Sequence, residues 1–171
     1  PAALLNAIDR GALATRARLA QRRRGPPPRD PSQLGFVAEL MYCERFGAAV
    51  WYTLPQSIRR RINGGPRRIK GGPRVTSRDH GVDAVAVEDG RLALAQIKWY
   101  APGRAISADA DMKLAMIGGK AREGLGLDYR PKTVLAFQAG ARPPGLSSPC
   151  ADDNERRPLT AEDIGLAGVE W

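Results

Sequence analysis

Two kinds of hydrophobic spacing divide the chain. Between Ala2 and Arg24, Leu4, Leu5, Ile8, Ala12 and Leu19 recur among arginines at intervals that suit one helix, or two short ones meeting near Gly11. The tract GPPPRDP, residues 25–31, stops that helix, because proline removes backbone donors and restricts the residue before it. Ser32 can cap a second helix, in which Leu34, Val37, Ala38, Met41 and Tyr42 form an apolar stripe and Gly47 ends the run; Glu39 lies on the flank of the stripe. A short strand is predicted over residues 48–54, closed by Pro55. The apolar stretches Val82 to Val87 and Arg91 to Trp99 flank Glu88-Asp89-Gly90 and read as a β-hairpin. Beyond it the pattern predicts a helix over residues 111–123, irregular at Gly118-Gly119, and a buried strand from Thr133 to Gln138. A loop from Gly140 to Pro149 and a short helix starting at Thr160 complete the reading.

These elements group as an N-terminal helical arm (1–24), a proline-rich linker (25–31) and one domain (32–171). The arm suits an appended docking or dimerisation element as well as a piece of the core. With 171 residues, 43% of them hydrophobic, the chain is large enough for a two- or three-layer core. No apolar run approaches the ~20 residues of a bilayer span, so no membrane role is expected. The arginines of the first segment follow its apolar residues, the reverse of a secretory leader. Cys43 and Cys150 give neither a disulfide framework nor a metal knuckle. The expectation is therefore a cytoplasmic or nucleoid/nuclear protein that is not secreted.

Charge narrows the partner. Lys and Arg number 27 against 18 Asp and Glu, a net charge of +9, which favours a polyanion without distinguishing its kind. Its distribution is more informative. Residues 57–78 carry Arg59, Arg60, Arg61, Arg67, Arg68, Lys70, Arg74 and Arg78 with no acidic residue, interleaved with Gly-Gly-Pro at two places. Such a segment reads as a basic loop that holds a phosphate backbone and adds affinity more than base choice. The plainer alternative is a solvated insertion. Arg104, in the loop after the hairpin, is a further candidate contact to nucleic acid, or else an ion-pair partner of Asp109 or Asp111.

The hairpin contains the candidate chemistry. Asp83 interrupts GVDAVAV, while Gln96 and Lys98 share one face of LALAQIKWY and Ile97 points to the other. If the strands are antiparallel about the turn, Asp83 meets the Gln96–Lys98 end, and burying such groups is costly unless they pair or bind something. Magnesium takes hard oxygen ligands, which Asp83, Glu39, the Ile97 carbonyl and Gln96 can supply together with waters. Lys98 is suited to orient or deprotonate the attacking water and to offset charge developing on a phosphodiester. The alternative is an Asp83–Lys98 ion pair closing the hairpin. His80 is more simply a loop residue and Cys43 a packed one, and no P-loop is present, since Gly118-Gly119-Lys120 is followed by Ala121.

GVD, a turn and then QIK, in DHGVDAVAVEDGRLALAQIKWY, resembles the PD-(D/E)XK nuclease superfamily, and in particular its Mrr-type restriction endonuclease branch, where Gln replaces the second acidic residue. The specific part of the resemblance covers residues 81–99; the element order extends it to residues 32–138. It departs from the general signature in lacking a proline before Asp83. The resemblance implies an α/β, restriction endonuclease-like core with a central mixed β-sheet flanked by helices, and a catalytic set of Asp83, Gln96, Lys98 and Glu39. It also implies a Mg²⁺ cofactor, with Mn²⁺ as substitute, and DNA as substrate. The expected activity is that of a metal-dependent endodeoxyribonuclease, acting as a homodimer or within a larger DNA-processing complex. An idle DNA-binding or assembly module of the same fold, or a junction resolvase, remain open alternatives.

Overall fold

The computed structural model describes residues 2–64, 81–145 and 154–167. The first helix, α1 (Ala2–Arg23), is unbroken at Gly11. The second, α2 (Pro31–Phe46), starts earlier than Ser32: the Asp30 side chain accepts from the Gln33 amide at 2.9 Å and Pro31 occupies the first turn, where its missing N–H costs nothing. Gly47, with φ of 62°, ends the helix in the left-handed conformation.

The strand expected over residues 48–54 is only β1 (Ala49–Val50), followed by a 3₁₀ turn, Trp51–Thr53. Local bonds win over the ladder there. Thr53 Oγ1 donates to the Val50 carbonyl at 2.7 Å and the Leu54 amide to the Trp51 carbonyl at 3.2 Å. Next comes α3 (Gln56–Ile62), so the first part of the expected basic loop is helical, with Ile58 and Ile62 buried. The rest of that loop, from residue 65, lies outside the described residues.

Strands β2 (Ala84–Glu88) and β3 (Arg91–Lys98) form the hairpin. Glu88 pairs with Arg91, leaving a two-residue turn of Asp89 and Gly90 with φ of 51° and 74°. Positive φ at both positions matches the right-handed strand twist. The following helix, α4 (Ala108–Leu125), runs straight through Gly118-Gly119. A Cβ on Gly118 would stand 3.0 Å from Thr133 Cγ2, so the glycine lets the helix lie close to the sheet without breaking it.

Strand β4 (Lys132–Gln138) pairs parallel to β3, and β5 (Glu155–Leu159) parallel to β4. The last strand has no apolar alternation to announce it; its sequence, ERRPL, contains a proline tolerated at a sheet edge. Where a helix was expected at Thr160 there is a turn. It is closed by reciprocal bonds, with Asp163 Oδ2 accepting from the Thr160 amide at 2.7 Å and Thr160 Oγ1 accepting from the Asp163 amide at 3.2 Å.

The described strands make one mixed sheet in the order β1-β2-β3-β4-β5, flanked by helices. The LALA run of β3 is buried on both faces. Leu92 and Leu94 join Leu114 and Ile117 of α4 and Ile58 and Ile62 of α3, whereas Ala93 and Ala95 join Val37, Leu40 and Met41 of α2. Helix α1 belongs to both cores. Leu4, Ala7 and Ile8 enter the α3–α4 side and Leu19 the α2 side. Between them Thr15 Oγ1 accepts from the Val50 amide at 3.0 Å, covering a donor of the edge strand. The arm is thus built into the packed unit. No described helix is long and apolar enough to cross a membrane.

Candidate functional site

Strand alternation carries the α4-facing side of β3 from Leu92 and Leu94 to Gln96 and Lys98, so one face changes from core to polar along its length. Asp83 stands just before β2. Since Ala84 pairs with Ala95, the next position of the antiparallel register sets Asp83 across from Gln96. The Asp83 amide donates to the Ala95 carbonyl at 2.8 Å, and Asp83 Oδ2 accepts from the Ile97 amide at 2.7 Å. The Ile97 side chain itself is buried on the α2 side.

Gly81, Asp83, Gln96 and Lys98 line one wall of a cleft of about 680 Å³, and α4 forms the other. From α4, Asp109, Met112, Lys113, Met116 and Lys120 follow helical spacing along the cleft. Lys113 Nζ lies 2.6 Å from Asp109 Oδ2. Met112 and Met116 are exposed.

Two groups in the cleft are left without partners among the described residues. Gln96 is 5% exposed, with its amide nitrogen side against Gly81, and its Oε1 is buried without a hydrogen bond. Lys98 is half-buried and joins no ion pair or hydrogen bond. The Asp83–Lys98 ion pair offered by the sequence as an alternative does not form. A buried amide oxygen without a donor costs about 1–3 kcal/mol, which a bound water or a ligand would repay. Asp83 and Gln96 suit a Mg²⁺ ion held by few protein oxygens and completed by waters. The described residues include no group of three or more His, Cys, Asp or Glu side chains arranged to hold a metal.

Glu39 does not line the cleft. It is half-buried on α2, one turn before Cys43. The Cys43 thiol is pushed well above its ordinary range by burial, with smaller contributions from the Glu39 and Asp83 carboxylates. That thiol is a packed group, as its sequence context suggested.

The expected nucleic-acid contacts separate. Arg61 donates to the Gly124 and Leu125 carbonyls at 3.2 and 3.3 Å, capping the C-terminal end of α4. Arg59 is half-buried and Arg60 exposed, both on α3. Arg67, Arg68, Lys70, Arg74, Arg78 and His80 lie outside the described residues. Arg104 lies over the Tyr100 ring, 4.7 Å from its centroid, while Asp109 pairs with Lys113 and Asp111 with Arg156. The sequence reading left the cleft-facing methionines of α4 unassigned, although their helical spacing to Lys113 and Lys120 was visible. It also missed the cluster of Glu88, Arg157, Lys132 and Glu155 at the other end of the sheet, because β5 carries no strand pattern.

In comparisons with protein families, curated proteins and solved structures, the chain matches none.

Proposed function

We propose that the protein is a metal-dependent endodeoxyribonuclease with a restriction endonuclease-like core, and that Asp83, Gln96 and Lys98 carry its chemistry. The observation that bears this reading is the meeting, along one cleft, of a carboxylate with a buried amide oxygen and a lysine that have no partner among the described residues. The strand order, an antiparallel β1-β2-β3 followed by a parallel β4, supports the kind of core that the GVD and QIK segments resemble. The net charge of +9 supports a polyanionic substrate.

In this reading Asp83 and Gln96 Oε1 would hold Mg²⁺, with Mn²⁺ as substitute. When bound, the ion polarises the scissile phosphate and neutralises its charge. The side chains do the rest. Lys98 faces the cleft with its donors available to orient the attacking water and to offset charge developing on the phosphoryl oxygens. The water oxygen would form the new bond to phosphorus as the bond to the leaving deoxyribose oxygen breaks, with the water's proton passing to solvent or to that oxygen. Lys120 adds positive charge along the wall on which adjoining phosphates would lie, where Lys113 is balanced by Asp109.

One observation favours a second reading, in which the fold binds DNA without cutting it: an Asp83 oxygen already serves the Ile97 amide, and Gln96 brings no charge to a metal. Conversion of supercoiled plasmid by the full chain in Mg²⁺ or Mn²⁺ separates the two. The nuclease reading requires cutting that EDTA stops and that Asp83→Asn reduces by at least about 100-fold, an effect of the size of one lost transition-state contact of ~3 kcal/mol. Binding without cutting in either metal would establish the second.

A further inference from the structure

A second feature lies away from the cleft, where α1 meets α2. The Arg18 guanidinium sits over two aromatic rings, 5.4 Å from the Phe36 centroid and 4.8 Å from that of Tyr52. The rings stack on each other, with centroids 6.3 Å apart and planes 21° from parallel. Arg18 is exposed, and it donates no hydrogen bond and joins no ion pair among the described residues. A guanidinium held by its π face keeps its edge N–H groups for a ligand, and the contact fixes a side chain whose ordering would otherwise cost entropy on binding.

The surroundings fit an anion. Arg18, Gln21, Arg22 and Phe36 line a cleft of about 790 Å³. The carboxylate on its wall, Asp30, is occupied by the Gln33 amide as the cap of α2. Helix α1 carries Arg10, Arg16, Arg18, Arg22 and Arg23 against Asp9 alone. Tyr52 also follows Trp51, whose amide donates to the Asp83 carbonyl at 2.8 Å, so the turn that carries one ring of the clamp is bonded to the residue before β2.

We propose that Arg18, clamped by Phe36 and Tyr52, is a binding site for a phosphate of a nucleic-acid backbone. A planar guanidinium grips a phosphate through two parallel bonds. The site would hold the strand beyond the catalytic cleft, anchoring position without reading bases. The inference rests on the nucleic-acid part of the proposed function and not on cleavage, so a chain that binds without cutting still tests it.

The test is binding of a fluorescent duplex and of a single strand of equal length, by anisotropy in EDTA across a salt series. Arg18→Gln should weaken binding about tenfold, the size of one lost charged hydrogen-bond pair. It should also reduce the slope of log affinity against log salt by about 0.9 for duplex or 0.7 for single strand. The larger effect identifies the preferred substrate. Tyr52→Leu, which keeps the charge and removes half the clamp, should weaken binding less and leave the slope in place. Arg45→Gln, which removes an exposed arginine held by the Asp163 carbonyl, controls for bulk charge. Equal losses in Arg18→Gln and Arg45→Gln, an unchanged slope in Arg18→Gln, or displacement of nucleic acid by polyglutamate at equal charge concentration would each overturn the site. Melting temperatures of all variants within a degree or two of wild type confirm that binding, and not folding, is being read; if Arg18→Gln melts early, Arg18→Met, which keeps an unbranched side chain against the rings and removes the charge, provides the same comparison at the same salt series.

Discussion

The Asp83 carboxylate accepts a hydrogen bond from the Ile97 amide at 2.7 Å, so a side chain takes the place of a rung at the end of the β2–β3 ladder. This bond fixes where the carboxylate points and ties its position to the strand that carries Gln96 and Lys98. The same residue therefore has a structural part beside the chemical one proposed for it, and substitutions separate them.

Asp83→Ala leaves the Ile97 amide without its acceptor, at a cost of about 1–3 kcal/mol. Asp83→Asn keeps an oxygen in the same place and loses the charge. Urea unfolding should find Asp83→Ala clearly destabilised and Asp83→Asn close to wild type, while plasmid cleavage falls in both. Equal stability of the two variants would mean that the carboxylate does not hold the strand end.

Gln96 is predicted to trade stability for function. Its buried Oε1 has no donor among the described residues, so Gln96→Met, similar in length and without the polar atoms, should hold or raise the unfolding midpoint, by up to about 1–2 kcal/mol, while cleavage is lost. A variant that loses stability in step with activity would make Gln96 an ordinary structural residue.

Helix α1 is predicted to be indispensable. A Cβ at Gly11 would come 2.6 Å from the Ala49 Cβ and 2.9 Å from Thr53 Oγ1, too close without backbone movement. Gly11→Ala should cost about 1–3 kcal/mol by overpacking, despite the better helix propensity of alanine. A midpoint at or above that of wild type would return α1 to the status of a loose arm.

Much of this arrangement was legible in the sequence, and the omissions have physical causes. The hairpin announced itself through Asp89-Gly90 between two apolar runs, and the isolation of Gln96 and Lys98 on one face followed from alternation alone. The place of α1 did not, because its buried stripe is narrow, includes Gly11 and Thr15, and is matched by arginines on the other faces. Strand β5 escaped because the face it shares with buried Leu159 carries Glu155 and Arg157, which pair with Lys132 and Glu88 instead of packing apolar surface. Glu39, offered as an oxygen ligand and as a member of the set the resemblance implies, does not line the cleft, although its carboxylate and that of Asp83 both act on the Cys43 thiol.

The charged cluster at the hairpin end predicts an acid limb of stability. Arg157 donates to Glu88 Oε1 and Oε2 at 3.0 and 2.8 Å and to the Tyr42 hydroxyl at 3.0 Å. The Arg157 bonds, with help from Lys132, hold the Glu88 carboxyl below its ordinary 4.5 against the opposing effect of burial. A carboxyl lowered on folding contributes stability that is fully present above its unfolded pKa and is lost as pH falls through the lower folded value. Glu88→Gln should therefore flatten the fall in unfolding midpoint as pH drops below the ordinary carboxyl value, and do so less in 1 M salt, where exposed Glu155 is screened. An acid limb identical to that of wild type would deny the cluster this role.

The central claim is that Lys98 acts on the scissile phosphate from the cleft it shares with Asp83 and Gln96. Its most direct measurement is the single-turnover rate of plasmid nicking by Lys98→Ala beside wild type, in Mg²⁺ and Mn²⁺, with DNA affinity measured in parallel. The account predicts a rate at least about 100-fold lower at nearly unchanged affinity and melting temperature, because the ammonium joins no ion pair or hydrogen bond among the described residues and, in the proposed function, would engage only the reacting group. A Lys98→Ala protein that nicks DNA as fast as wild type would contradict it.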